Sequence, residues 1–216
     1  HRFPRSPSPP LMARILLTLL LPVLLALSAG CSAEDKRQKT LDRAAEHFRK
    51  GDFEKARLEY QNVLQLAPDD LVANERLAQI WADRGATFRA LSLYSRVRKL
   101  SPNNRDAQLA QIRLILQLGG VREARQELRA LLGRQPDFGA ALVVLTEAVR
   151  DAADWRAADE ALKRFQDRGS LQFQLATANQ QRFIGEREKA VASLRRAVAI
   201  DQKAVEARAQ LASLYA

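Results

Sequence analysis

Residues 71–104 read LVANERLAQIWADRGATFRALSLYSRVRKLSPNN. Leu77, Ala78 and Trp81 fall three and four apart, so they share one face of a first helix. Ala90, Tyr94 and Val97 do the same for a second. Asp83-Arg84-Gly85 separates the two, because glycine enters the left-handed conformation at a helix C-terminus without a Cβ clash. Pro102 ends the second helix, since it has no N–H and its ring collides with the preceding turn. The stretch therefore predicts a helix-turn-helix unit of 34 residues.

The same design recurs on both sides. Residues 37–70 place Leu41, Ala44, Ala45 and Phe48 on a first helix, turn at Gly51-Asp52 with Asp52 as helix cap, and continue with Ala56, Tyr60, Val63 and Pro68. Residues 105–138 give Leu109, Ile112 and Ile115, a Gly119-Gly120 turn, then Ala124, Leu128, Leu131 and Pro136. A fourth unit, 139–170, is degenerate at 32 residues: its turn is expected at Ala153-Asp154-Trp155, and Gly169-Ser170 stands where proline would. Trp155 is expected to pack between adjacent units, a binding aromatic being the alternative. Residues 171–204 restore the spacing with Ala178, Gly185, Ala190, Leu194 and Ala197, and carry Gln202 at the proline place. Residues 205–216 read as the first helix of a partial sixth unit, leaving Leu211, Leu214 and Tyr215 partly uncovered, so the natural chain is expected to continue beyond Ala216.

This pattern resembles the tetratricopeptide repeat, written W-x2-L-G-x2-Y, then A-x3-F, then P over 34 residues. In 71–104, Leu77, Ala90 and Pro102 match, while Asn74 replaces the Trp, Ala78 the Gly, Trp81 the Tyr and Tyr94 the Phe. Small residues remain where helix backbones approach and bulky ones where the gap is filled. The resemblance covers 37–216 and implies an all-α, right-handed superhelical solenoid whose first helices line a concave surface for an extended peptide or a partner's helix.

Helix geometry nominates the lining residues. They are Glu75, Arg76, Gln79 and Asp83; Asp106, Leu109, Arg113, Leu116 and Gln117; Val143, Val144, Glu147 and Arg150; Leu175, Asn179, Arg182 and Phe183. Arg76, Arg113, Arg150 and Arg182 fall one per unit and would suit an acidic segment or a C-terminal carboxylate. Local neutralisation by Glu75, Asp83, Asp106 and Glu147 is the competing reading, and the sequence leaves both open. Relatives that clamp chaperone C-termini need polar groups where Leu41, Ala45 and Ala110 stand, which argues against that subtype.

Composition agrees with an all-helical body: 47% hydrophobic but 6% aromatic residues, 28% charged, and no alternating β-branched run. The formal charge of +10 falls to +7 without Arg2, Arg5 and Arg14, and the remaining cations alternate with acids along helix faces. No nucleic-acid-binding signature accompanies them, so no nucleic-acid partner is expected.

The chain opens with Pro-rich HRFPRSPSPPL, expected to be a disordered upstream segment over 1–11. Met12 begins a secretory signal layout through residue 30: Arg14, an uncharged apolar run over 15–29, then Leu27-Ser-Ala-Gly before Cys31. That run is shorter than the roughly 20 residues a spanning helix needs, and Pro22 interrupts it. The lone cysteine resembles a bacterial lipobox, with Ser28 where leucine is commonest. The resemblance implies lipidation of Cys31, a polar tether over 31–36 and, from Ser32, the periplasmic face of the outer membrane. Ordinary signal cleavage beside an incidental cysteine is the alternative.

No catalytic constellation, phosphate loop or metal-ligand cluster is visible, and His47 is the one histidine in the repeat region. The expectation is a non-enzymatic scaffold without cofactor, metal or small-molecule substrate. It would be lipid-anchored in the bacterial envelope and bind protein partners during assembly of a pilus, secretion, outer-membrane or exopolysaccharide-export machine. A cell-wall or polysaccharide-binding adaptor, or the docking arm of a longer protein with an enzymatic domain after residue 216, are the alternatives.

Overall fold

The computed structural model describes residues 33–215. The upstream segment 1–11, the signal segment 12–30 and Cys31 lie outside the described residues. Every regular element among the described residues is an α-helix. They are α1 (33–49), α2 (Phe53–Leu66), α3 (Leu71–Asp83), α4 (Thr87–Leu100), α5 (Arg105–Gln117), α6 (Val121–Arg134), α7 (Gly139–Glu147), α8 (Ala152–Arg164), α9 (Leu171–Phe183), α10 (Arg187–Ile200) and α11 (Val205–Tyr215). The chain divides into two compact units after Asp83. Within each unit neighbouring helices pack in sequence order, α2 on α3 in the first and each helix from α4 to α10 on the next in the second.

In the first unit, residues 33–36 extend α1 instead of forming a free tether. Arg37 explains the extension, because it pairs with Glu34 one turn back and with Asp70 at the start of α3. Thr40 adds a bond from Oγ1 to the Lys36 carbonyl at 2.8 Å. The core is made of Ala44, Ala56, Tyr60, Val63, Ala73 and Leu77, the small and bulky residues of the repeat pattern. Phe48 meets Tyr60 and Phe53 edge-on, with centroids 6.4 and 5.4 Å apart.

In the second unit one continuous core runs from Leu109 to Ala207, with Ile112, Leu128, Leu142 and Leu194 at its centre. The first helices α5, α7 and α9 pack side by side, each backed by its second helix. The α5–α6 and α9–α10 turns close through left-handed glycines, Gly119 at φ +83° and Gly185 at φ +80°; Gly119 donates to the Leu116 carbonyl and Gly120 to that of Ile115, both at 2.9 Å.

The degenerate repeat departs from the expected turn. Helix α7 stops at Glu147, and Arg150 replaces the missing glycine cap by donating from Nη1 to the carbonyls of Glu147 and Val149, both at 2.8 Å. Asp151 then caps α8, accepting from the Asp154 N–H at 2.8 Å. Ala153, Asp154 and Trp155 thus form the first turn of α8, not the inter-helix turn. Asp154 is 5% exposed, pairs with Arg125 and Arg129 of α6, and accepts the Arg150 N–H at 3.1 Å. Trp155 is half-buried against the core, the packing role expected of it.

Candidate functional site

The C-terminal halves of α7 and α9 and the middle of α11 enclose an open cleft of about 380 Å³, lined by Thr146, Glu147, Val149, Asn179, Arg182, Phe183 and Gln210. All three are first helices of their repeats, so the same 3.6-residue periodicity that buries one stripe leaves these residues on one surface.

The floor of the cleft is a fixed polar pair. Thr146 Oγ1 donates to the Val143 carbonyl at 2.8 Å and accepts from Asn179 Nδ2 at 3.2 Å, joining α7 to α9. Asn179 is 8% exposed, and its Oδ1 has no hydrogen-bond partner among the described residues. From α11, Gln210 Nε2 donates to Glu206 Oε1 at 3.4 Å, while its own Oε1 is buried and unpartnered.

Glu147 keeps an exposed face yet is surrounded by protein in the concavity. Burial first, then the shared hydrogen bond and repulsion with Glu206, push its carboxyl up to about 7, and Arg113 on α5 pulls the other way. Water at the exposed face screens part of this. Arg182 and Arg113 are exposed and lack an ion-pair partner among the described residues. Phe183, 42% exposed, supplies an apolar wall.

The structure therefore brings together Glu147, Asn179 and Arg182, with Arg113 beside them. Leu109 and Val143, nominated for the groove, sit in the core at 6% and 3% exposure, and Leu116 packs half-buried against it. Arg150 faces the backbone carbonyls it caps. In the first unit Arg76 donates from Nη1 to Gln79 Oε1 at 3.0 Å and lies 5.1 Å over the Phe48 ring, an exposed pair on α3. Glu206 and Gln210 are not among the sequence nominations. They lie one turn apart on α11, where extending the groove periodicity into 205–216 would have reached them.

A second concavity of about 600 Å³ lies between Arg122, Arg125, Gln126, Arg129, Asp151 and Asp154. Its central charges already pair with each other, so it offers less unmet bonding capacity than the α7–α9–α11 cleft.

No protein-family model and no curated protein matches the chain. Solved structures do. A thermophilic tetratricopeptide-repeat protein of Thermus thermophilus is 17% identical with a TM-score of 0.64, over 83% of this chain and 98% of that one. A tetratricopeptide repeat protein from Parabacteroides merdae is 16% identical at TM-score 0.66, over 83% and 72%. MamA from Desulfovibrio magneticus, residue 41 to its end, is 17% identical at TM-score 0.63, over 79% and 98%. At these identities the likeness shows the fold, which is that of tetratricopeptide-repeat proteins.

Proposed function

We propose that this chain is a non-enzymatic interaction scaffold that captures an extended segment of a protein partner against its first helices. The observation that carries the reading is the cleft between α7, α9 and α11. There Asn179 Oδ1 and the Arg182 guanidinium present bonding capacity that the chain itself leaves unused, beside Glu147, on helices that share one core. A partner's backbone and side chains would satisfy these groups, and Phe183 would cover an apolar side chain.

The bacterial envelope is the proposed setting, supported by the signal layout of 12–30 and the lipobox-like context of Cys31. Lipid on Cys31 would anchor the protein, each buried CH₂ contributing about 0.8 kcal/mol. Confinement to the membrane plane raises the effective concentration near a membrane-bound partner, so a modest groove affinity suffices for assembly of a pilus, secretion, outer-membrane or exopolysaccharide-export machine. Affinity capture from cells expressing wild type and Cys31→Ala tests the anchoring part. Recovery of one envelope assembly, reduced when Cys31 is replaced, supports it; capture of cytoplasmic proteins independent of Cys31 contradicts it.

A further inference from the structure

Helix α1 starts at residue 33, two residues after Cys31. Two residues reach at most about 7 Å. The first turn of α1 is not slack that could lengthen this link, because it is pinned to the rest of its unit. Arg37 pairs with Glu34 and with Asp70; Asp70, whose side chain is 7% exposed, also accepts the Ala73 N–H at 2.9 Å at the start of α3. Further along, Arg43 meets Glu59 at 3.0 Å and holds α1 to α2. Resting on the reading of Cys31 as lipidated, we propose that the anchored first unit stands end-on against a phospholipid surface, with Leu66 and Val72 of the α2–α3 bend set into the headgroup layer.

The register of the helices brings those two residues to the lipid's end. Arg43 opposite Glu59 and Phe48 against Phe53 fix α1 and α2 as antiparallel neighbours, which places Leu66 level with Lys36 and the following bend level with the first turn of α1. Asn74, donating to the Pro68 carbonyl, and Asp70, paired with Arg37, keep the bend folded against that turn. Pro68 is exposed there, and so are Leu66 at 43% and Val72 at 46%. Leu100 and Ile200 end α4 and α10 with similar exposure, so exposure alone is a feature of the repeat. What sets Leu66 and Val72 apart is their place at the end from which the lipid would leave.

The outer side of α1 suits a membrane less. Asp35, Gln38, Asp42 and Arg49 fall on one stripe of it and are exposed, and an interface there would strip water from charges with no apolar gain. Charge does not supply the attraction at the end of the unit either. Lys36, Arg37 and Lys39 are offset by Glu34, Asp35, Asp69 and Asp70, so that end gains nothing from anionic lipid. The contact is therefore apolar. A weak one suffices, because the tether holds the bend at high effective concentration beside the surface. Standing this way, α1 carries the Gly51-Asp52 turn about 25 Å from the membrane.

The experiment uses the full chain, matured in bacteria and reconstituted in phosphatidylcholine nanodiscs that carry a nitroxide quencher on the lipid headgroup. Cys31 is the chain's only cysteine, so once its thiol carries lipid an introduced cysteine is the only labelling site. A fluorophore is placed in turn at Leu66→Cys, Val72→Cys and Arg49→Cys. The expected result is strong quenching at 66 and 72 and severalfold less at 49, unchanged at high salt. Leu66→Asp, added to the chain labelled at 72, should cut quenching there severalfold while the protein stays in the nanodisc. Equal quenching at 49, none at 66 and 72, no effect of Leu66→Asp, or quenching that requires phosphatidylglycerol would each overturn the docking. Intact mass separates the two ways of failing. Lipid on Cys31 without quenching refutes the docking alone, whereas an unmodified Cys31 refutes the anchoring reading and the docking with it.

Discussion

Asn74 Nδ2 donates to the Pro68 carbonyl at 2.9 Å, tying the first turn of α3 to the bend that precedes it. It also donates to the Asp70 carbonyl at 2.8 Å, and the side chain has no accessible surface. The tie recurs over the same six-residue span, from Gln108 to the Pro102 carbonyl at 2.5 Å and from Gln174 to that of Arg168 at 2.8 Å. In each case an amide stands where the repeat pattern has tryptophan and fixes the joint by hydrogen bonding instead of bulk. Repeat four has Leu142, which buries but cannot donate.

Asn74→Leu should therefore destabilise the first unit although it adds apolar volume. Two carbonyls lose their side-chain donor in a buried joint, worth about 1–3 kcal/mol. Thermal unfolding followed by circular dichroism should show a loss of several degrees; an unchanged or raised melting temperature would refute the account.

Adjacent glycines Gly119 and Gly120 are needed for different reasons. Gly119 takes φ +83° in open space, so Gly119→Ala should cost about 1–2 kcal/mol in backbone strain alone. A Cβ on Gly120 would sit 2.7 Å from Ile115 Cγ2. The cost of Gly120→Ala should thus shrink in an Ile115→Ala background while that of Gly119→Ala does not, a difference a double-mutant cycle reads directly.

Asp154→Asn should be far more damaging than removal of a surface acid. It leaves Arg125 and Arg129 facing a neutral group at a buried position, which costs about 1.5–3 kcal/mol. Glu46→Gln, whose pairs with Arg49 and Lys50 are exposed, should leave stability almost unchanged. Urea midpoints of the two variants provide the comparison.

Glu147 should make stability fall as pH rises. Its folded carboxyl titrates at about 7 against 4.5 for an unperturbed one, so the folded state holds more protons between those values. Stability from this group is intact below 4.5, is lost through the window, and stays reduced above 7. Glu147→Gln should flatten that part of the melting-temperature profile, gaining at pH 8 and not at pH 4. The gain should be small because water reaches the group, and a profile parallel to wild type would contradict the shift.

Much of the fold was legible because the repeat packs through short-range rules. Ala78 and Ala90 at the close approaches, Gly85 and Gly119 at the turns and Pro102 at the joint each act within one helix pair. The turn of repeat four was not legible, because it depends on Arg150 reaching back to cap α7 and on Asp154 finding Arg125 29 residues earlier, a pairing no local pattern announces. Asp154 beside an aromatic at 155 also resembles the Gly51-Asp52-Phe53 turn closely enough to mislead. In the cleft, Glu147, Asn179 and Arg182 followed from first-helix periodicity. Leu109 and Val143 did not, because an apolar residue at the stripe's edge can face core or groove, and only the packing of α5 against α7 decides which.

The account stands most directly on where a partner touches the chain. Photoreactive residues placed in living cells at positions 182 and 210 of the cleft, and at 164 on the exposed face of α8, would read this in one experiment. The account predicts one partner crosslinked from 182 and 210, with little from 164. Equal yields from all three positions, or capture from 164 alone, would contradict it.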